Sequence, residues 1–295
     1  MTDSLQPLYA AVLVPRDDHG ELNESAFCTI LEFLLSRGIT GVVVNGATGE
    51  YCLTSRSDVD RLLTLCRDVL GDRAQFLCSV GAASIQEVLA LSTIAGDHAA
   101  AALLLPMPYF FPYSQDDLRS FATAVAAEAR RPVLLYNLPR FTSGLEPATV
   151  ADLIGSAPNI AGIKDSGGTL EIFKALEGSR ARRFVGDDSI LVEAFEARVC
   201  EGAISGIAGV LPELTRFLAC RRGAAGYGEA ARLQVELIEK LAVFPTPWGL
   251  KLIAECRGLA PARFAQPVSE ARRRQMEEFR AWFAPWWCTA AAIVE

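Results

Sequence analysis

The stretch Ile160-Ala161-Gly162-Ile163-Lys164-Asp165-Ser166-Gly167-Gly168 is where this chain most plainly has the means for chemistry. A short apolar run ends in one lysine, and a serine with two glycines then hands the chain to an amphipathic stretch. The pattern reads as a buried strand, a tight turn and a helix, with Lys164 at the strand's C-terminal end. An amine held against an apolar interior loses solvation, which favours the neutral form able to attack a carbonyl. A lone lysine after a strand is ordinarily a solvated surface group, so the surrounding pattern has to decide.

Two more strand ends carry suitable groups. Gly46-Ala47-Thr48-Gly49-Glu50 follows a β-branched run, and its glycines expose backbone N–H groups while Thr48 adds a hydroxyl. Such a turn can hold a carboxylate, although alone it is equally a glycine turn leading into a helix. Tyr136-Asn137 closes another apolar run, placing a phenol at the same end, or simply a tyrosine on the rim. An anion-binding turn, a phenol and an amine suit one small 2-oxo acid.

The elements that must position these groups follow from periodicity. Apolar runs at 8–14, 39–44, 75–80, 100–105, 132–136 and 160–164 read as strands, with weaker ones at 183–185 and 202–204. A helical pattern follows each. Eight strand–helix units before residue 222 predict an α/β fold, a (β/α)8 TIM barrel. A doubly wound sheet is the alternative, but neither GxGxxG nor GxxxxGK[ST] occurs. From residue 223 the pattern is helical at 229–243, 247–257 and 268–283. Two regions are expected: a barrel over 1–222 and a C-terminal helical extension over 223–295 packed on it.

Composition narrows the function classes. The 295 residues are 51% apolar with a net charge of −7, which lacks the basic footprint of a nucleic-acid binder. Met1-Thr2-Asp3-Ser4 has no basic leader and the first apolar run is too short for a membrane span, so a cytoplasmic protein is expected. The eight cysteines stand singly, as reduced thiols, and the two histidines have no metal-ligand spacing, so no metal is expected.

In order and spacing, Gly46-Ala47-Thr48-Gly49-Glu50, Pro108-Tyr109-Phe110, Tyr136-Asn137-Leu138-Pro139, Gly162-Ile163-Lys164-Asp165 and Gly186-Asp187-Asp188 resemble the dihydrodipicolinate synthase / N-acetylneuraminate lyase superfamily over nearly the whole chain. The resemblance implies a homo-oligomer, usually a tetramer, and class I aldolase chemistry on a pyruvate-type 2-oxo acid without metal or other cofactor. It makes Lys164 the Schiff-base lysine and Tyr136 the proton-shuttling phenol. Thr48, with the backbone of Gly46 and Ala47, would hold the carboxylate, and Ile204-Ser205-Gly206 would line the site at strand eight. There are departures. Ala47 replaces a threonine that relays protons in typical synthases, and Phe110 replaces a tyrosine donated across a subunit contact. Arg140, in a loop one residue longer, is displaced from the arginine that grips the second substrate. The expectation is therefore a paralogue that cleaves or dehydrates another 2-oxo acid, such as a 2-keto-3-deoxy sugar acid. A true synthase, an enzyme using Lys164 only as a base, and a non-catalytic binding or scaffold relative are the alternatives. The Pro285-Trp286-Trp287 tail is read either as an oligomer contact or as packing of the terminal helix on its own barrel.

Overall fold

The computed structural model describes residues 5–294; residues 1–4, read above as lacking a leader, and residue 295 lie outside them. Strands and helices alternate as β1 Leu8–Ala11, α1 Glu24–Ser36, β2 Gly41–Val44, α2 Arg56–Leu70, β3 Gln75–Ser79, α3 Ile85–Asp97, β4 Leu103–Pro106 and α4 Gln115–Glu128. They continue as β5 Val133–Asn137, α5 Pro147–Ser156, β6 Ile160–Asp165, α6 Glu171–Ala175, β7 Arg182–Val185, α7 Leu191–Glu196, β8 Gly202–Ser205 and α8 Pro212–Cys220. Three further helices follow, α9 Tyr227–Leu241, α10 Trp248–Cys256 and α11 Glu270–Val294.

All eight strands are parallel and close in sequence order, β8 pairing back onto β1. The fold is a (β/α)8 TIM barrel. Strands buried on both faces must be apolar throughout, which is why they appear in the sequence as short continuous runs. The helices start where local chemistry tells them to. Ser55 and Ser114 form capping boxes with Asp58 and Asp117, and prolines open α5 and α8.

Two apolar layers result. Inside the barrel, Tyr9, Val43, Leu77, Leu134, Phe184 and Ile204 pack together and fill its lower part. Between strands and helices runs a larger cluster that continues without a break into α9, α10 and α11 through Leu237, Leu252, Phe279 and Trp286. Arg257, the residue that caps the C-terminus of α10, and Glu213 on α8 form a buried ion pair at 2.8 Å across the same junction. Close approach of β6 to β7 depends on Gly162, where any Cβ would press into the backbone of Arg182. None of the described helices is long and apolar enough to cross a membrane.

Some boundaries differ from the sequence reading. The first strand ends at Ala11 rather than residue 14, because a turn at Ile207–Gly209 packs against the Ala11 carbonyl and the chain leaves the sheet. The last helix does not stop before Pro285 but runs on to Val294. The proline forfeits one backbone bond. Continuation keeps Trp286 and Ala290 buried, with Trp286 against Trp282 and Phe283 and Trp287 over the Arg257 guanidinium.

Candidate active site

The C-terminal ends of the strands surround one cleft of about 460 Å³. At its base the parallel register sets Tyr136 on β5 directly beside Lys164 on β6. Lys164 Nζ donates to the Tyr136 hydroxyl at 3.1 Å and lies 4.2 Å from the ring centre. Both residues are almost fully buried, at 4% and 2% exposure. Lys164 is therefore not the solvated surface lysine that its position alone would suggest.

The turn after β2 supplies the opposite wall. Asn45 and Glu50 take left-handed backbone conformations at its two ends, and the Asn45 amide donates to the Ser79 carbonyl. The N–H groups of Gly49, Glu50 and Tyr51 are used by the carbonyls of Gly46 and Ala47. Those of Ala47 and Thr48 give no hydrogen bond among the described residues, and both residues line the cleft. Free amides beside a threonine hydroxyl make an anion site without a cationic side chain. Gly46 is buried behind this turn and does not line the cleft.

Ile204 is fully buried in the inner apolar layer, which also takes in Tyr136, and it is Gly206 of the same loop that lines the cleft. Ser205 acts indirectly. Its hydroxyl donates to Asp188 Oδ1 and accepts from the Ala208 amide, while Asp188 Oδ2 accepts from Ile207 N–H. Burial pushes the Asp188 carboxyl above the ordinary carboxylate range, partly offset by these bonds and by Lys164. Arg140 is exposed on the rim of the cleft beside Phe141.

Residues without an assigned role in the sequence also line the cleft. Gly186, Asp187 and Asp188 were visible as a motif after β7, but nothing in their spacing gave them a task. Ser166 faces the cleft with its hydroxyl unpartnered among the described residues. Leu241 on α9, Phe244 and Pro247 in the connection to α10, and Leu250 on α10 come from the C-terminal extension, whose amphipathic pattern carries no chemical signature. Asp165, next to the lysine, points away from this chemistry. Its Oδ1 accepts from Asn137 Nδ2 at 2.7 Å and from Gly167 N–H at 2.9 Å, tying the ends of β5 and β6 together.

A barrel that buries an amine against a phenol at its strand ends, facing an amide-lined turn, has the groups that class I aldolase chemistry requires. Comparison with known proteins gives the family. Residues 4–284 match the dihydrodipicolinate synthetase family, and the chain belongs to it. It is 32% identical over 276 residues to 4-hydroxy-tetrahydrodipicolinate synthase of Bartonella quintana, covering 90% of this chain and 92% of that one. The enzyme of the same name from Xylella fastidiosa is 33% identical over 228 residues, 76% of this chain and 74% of its own. Among solved structures, a prophage protein of E. coli K12 from the dihydrodipicolinic acid synthase family, in complex with pyruvate, superposes with a TM-score of 0.87 at 21% identity, over 96% of this chain and 99% of that one. The 4-hydroxy-tetrahydrodipicolinate synthase of Methylacidiphilum fumariolicum SolV gives 0.86 at 23%, over 99% and 100%. At those identities the structural likeness speaks for the fold alone.

Proposed function

We propose that the chain forms a Schiff base between Lys164 and a pyruvate-type 2-oxo acid, and makes or breaks the bond one carbon away. The observation that carries this reading is the buried contact of the Lys164 amine with the Tyr136 phenol, 3.1 Å apart at the base of the cleft. The amine attacks the C2 carbonyl, and the carbinolamine loses water to give a protonated imine. That imine draws electrons from C3, so a C3–C4 bond can break to leave an enamine, or a C3 proton can leave ahead of a hydroxyl. Tyr136 moves protons at the carbinolamine and at the bond that changes. Thr48 and the Ala47 and Thr48 amides hold the carboxylate.

The substrate is read as different from aspartate semialdehyde, for example a 2-keto-3-deoxy sugar acid. Ala47 presents a methyl to the cleft where a proton relay would need a hydroxyl, and Phe110 cannot pass a proton either. A second reading, 4-hydroxy-tetrahydrodipicolinate synthase itself, is favoured by the names of the relatives and by Arg140 on the cleft rim, available to a second carboxylate. The chain is further read as a cytoplasmic homo-oligomer, dimer or tetramer, with eight unpaired cysteines supporting a reducing compartment.

The test is intact mass after borohydride reduction with pyruvate and with longer 2-oxo sugar acids, beside Lys164→Ala. An adduct in the wild type that vanishes in the variant supports the Schiff base, and absence of any adduct rejects it. Turnover of pyruvate with aspartate semialdehyde at an ordinary enzymatic rate would move the assignment to the second reading.

A further inference from the structure

We propose that Lys251, on α10, is a positioning residue for the carboxylate-holding turn, acting through Glu50. The inference rests on the reading of that turn given above. Glu50 closes the turn with φ of 54°, a left-handed conformation that a residue with a side chain adopts only when its surroundings hold it there. What holds it comes from the C-terminal extension. Lys251 Nζ lies 2.5 Å from Glu50 Oε2 and donates to the Arg263 carbonyl at 2.8 Å, with the Phe264 ring centre at 5.9 Å. Lys251 is only 6% exposed and lines no part of the catalytic cleft, so it cannot touch the substrate there.

The neighbouring residue on α10 reinforces the geometry. Leu250 packs toward Gly206, where a Cβ would lie 3.2 Å from its Cδ1 and 3.2 Å from the Thr48 hydroxyl oxygen. One helix therefore backs both sides of the space in front of Thr48. Glu50 N–H in turn bonds the Ala47 carbonyl, so displacement of Glu50 moves the two free amides. Removing the Lys251 charge leaves the Glu50 carboxylate partly buried and unpaired, and the carboxylate relieves that by swinging toward water and carrying the turn with it.

A role in positioning differs from a role in folding, and the molecule contains its own control. Arg257, six residues on in the same region, makes the comparably buried pair with Glu213 but points away from the turn. The experiment measures the pyruvate concentration giving half-maximal borohydride-trapped adduct, with melting temperature, for wild type, Lys251→Met, Glu50→Gln and Arg257→Met. Expected is a rise of about tenfold or more for Lys251→Met and a smaller rise for Glu50→Gln, with the same adduct at saturation. Arg257→Met is expected to melt earlier with half-saturation unchanged. Equal half-saturation in all four overturns the inference, as does a parallel rise in Arg257→Met, which would make the effect one of general loosening. If Lys251→Met does not fold, Glu50→Gln against Arg257→Met decides by the same criterion. No adduct in the wild type overturns the functional reading and takes this inference with it; an adduct with equal half-saturations overturns this inference alone.

Discussion

Tyr136 and Lys164 lie 28 residues apart in sequence, yet the paired register of β5 and β6 leaves one hydrogen bond between their functional atoms. Among the described residues, that phenol is the hydrogen-bond partner of the amine and is able to carry protons for it. Tyr136→Phe keeps the ring against the amine and removes only the hydroxyl. Turnover is expected to fall about 10²–10⁴-fold while pyruvate adduct still accumulates slowly; a variant within about threefold of wild type would remove the phenol from the mechanism. Asp165 shows how adjacency in sequence misleads. It follows the reactive lysine directly, yet it is buried beside Asn137, and burial pushes its carboxyl above the ordinary value despite the Asn137 and Gly167 bonds. The folded chain therefore holds that proton more tightly than the unfolded chain does. Stability from this source is fully present below the ordinary carboxylate value and is lost as pH rises through the raised one. Asp165→Asn cannot titrate, so melting temperatures should show wild type gaining on the variant as pH falls from about 7 to about 4. A constant difference across that range would mean that Asp165 titrates as an ordinary carboxylate.

The elements divide by how much of their role is local. Strands two, three, five and six could be read within two residues, and the fourth was read three residues too early at its start, because each is a short apolar run between amphipathic stretches. Lys164, Tyr136 and Thr48 could be read as a group because the barrel puts every strand's C-terminal end on one face. The part played by α9 and α10 could not, since Phe244, Pro247 and Leu250 line the cleft only through the return of the extension over the barrel mouth. At strand eight the residues divide for a local reason. Alternation along β8 turns Ile204 into the barrel interior and leaves Ser205 to meet Asp188. Gly186, at the end of β7, is a further position whose constraint comes from neighbours. A Cβ there would press on the Ser166 hydroxyl and come within 2.6 Å of Lys164 Cε. Gly186→Ala is expected to cost about 1–3 kcal/mol of stability by overpacking and to slow imine formation sharply, because the lysine stem must move to make room. Urea unfolding with single-turnover trapping checks both, and normal trapping kinetics would show that Lys164 tolerates the shift.

At the scale of the whole molecule, the surface beside the cleft raises the question of assembly. Phe110 is 87% exposed and Phe111 61%, their rings in edge contact, and Phe141 stands 49% exposed on the adjoining loop. The two loops are tied together, Ser143 N–H donating to the Pro108 carbonyl and Tyr113 N–H to the Ser143 hydroxyl, so the aromatic patch is a built surface rather than a frayed one. Phe110 also sits at φ of 80°, which presents the ring outward and is unfavourable for a residue with a side chain. Apolar groups held outward by a fixed backbone suit the contact face of the proposed homo-oligomer. In the tail, Trp286 and Ala290 are instead buried against the chain's own extension. Replacing Phe110 and Phe111 together by aspartate puts two charges into that face without touching the barrel core. Light scattering is expected to find the wild type at a multiple of the chain mass and the double variant at a smaller assembly. The melting temperature of the separated chain should fall only slightly, because neither ring supports the interior. An unchanged mass would exclude this loop as the contact, and a wild type already at the mass of one chain would reject the oligomer itself.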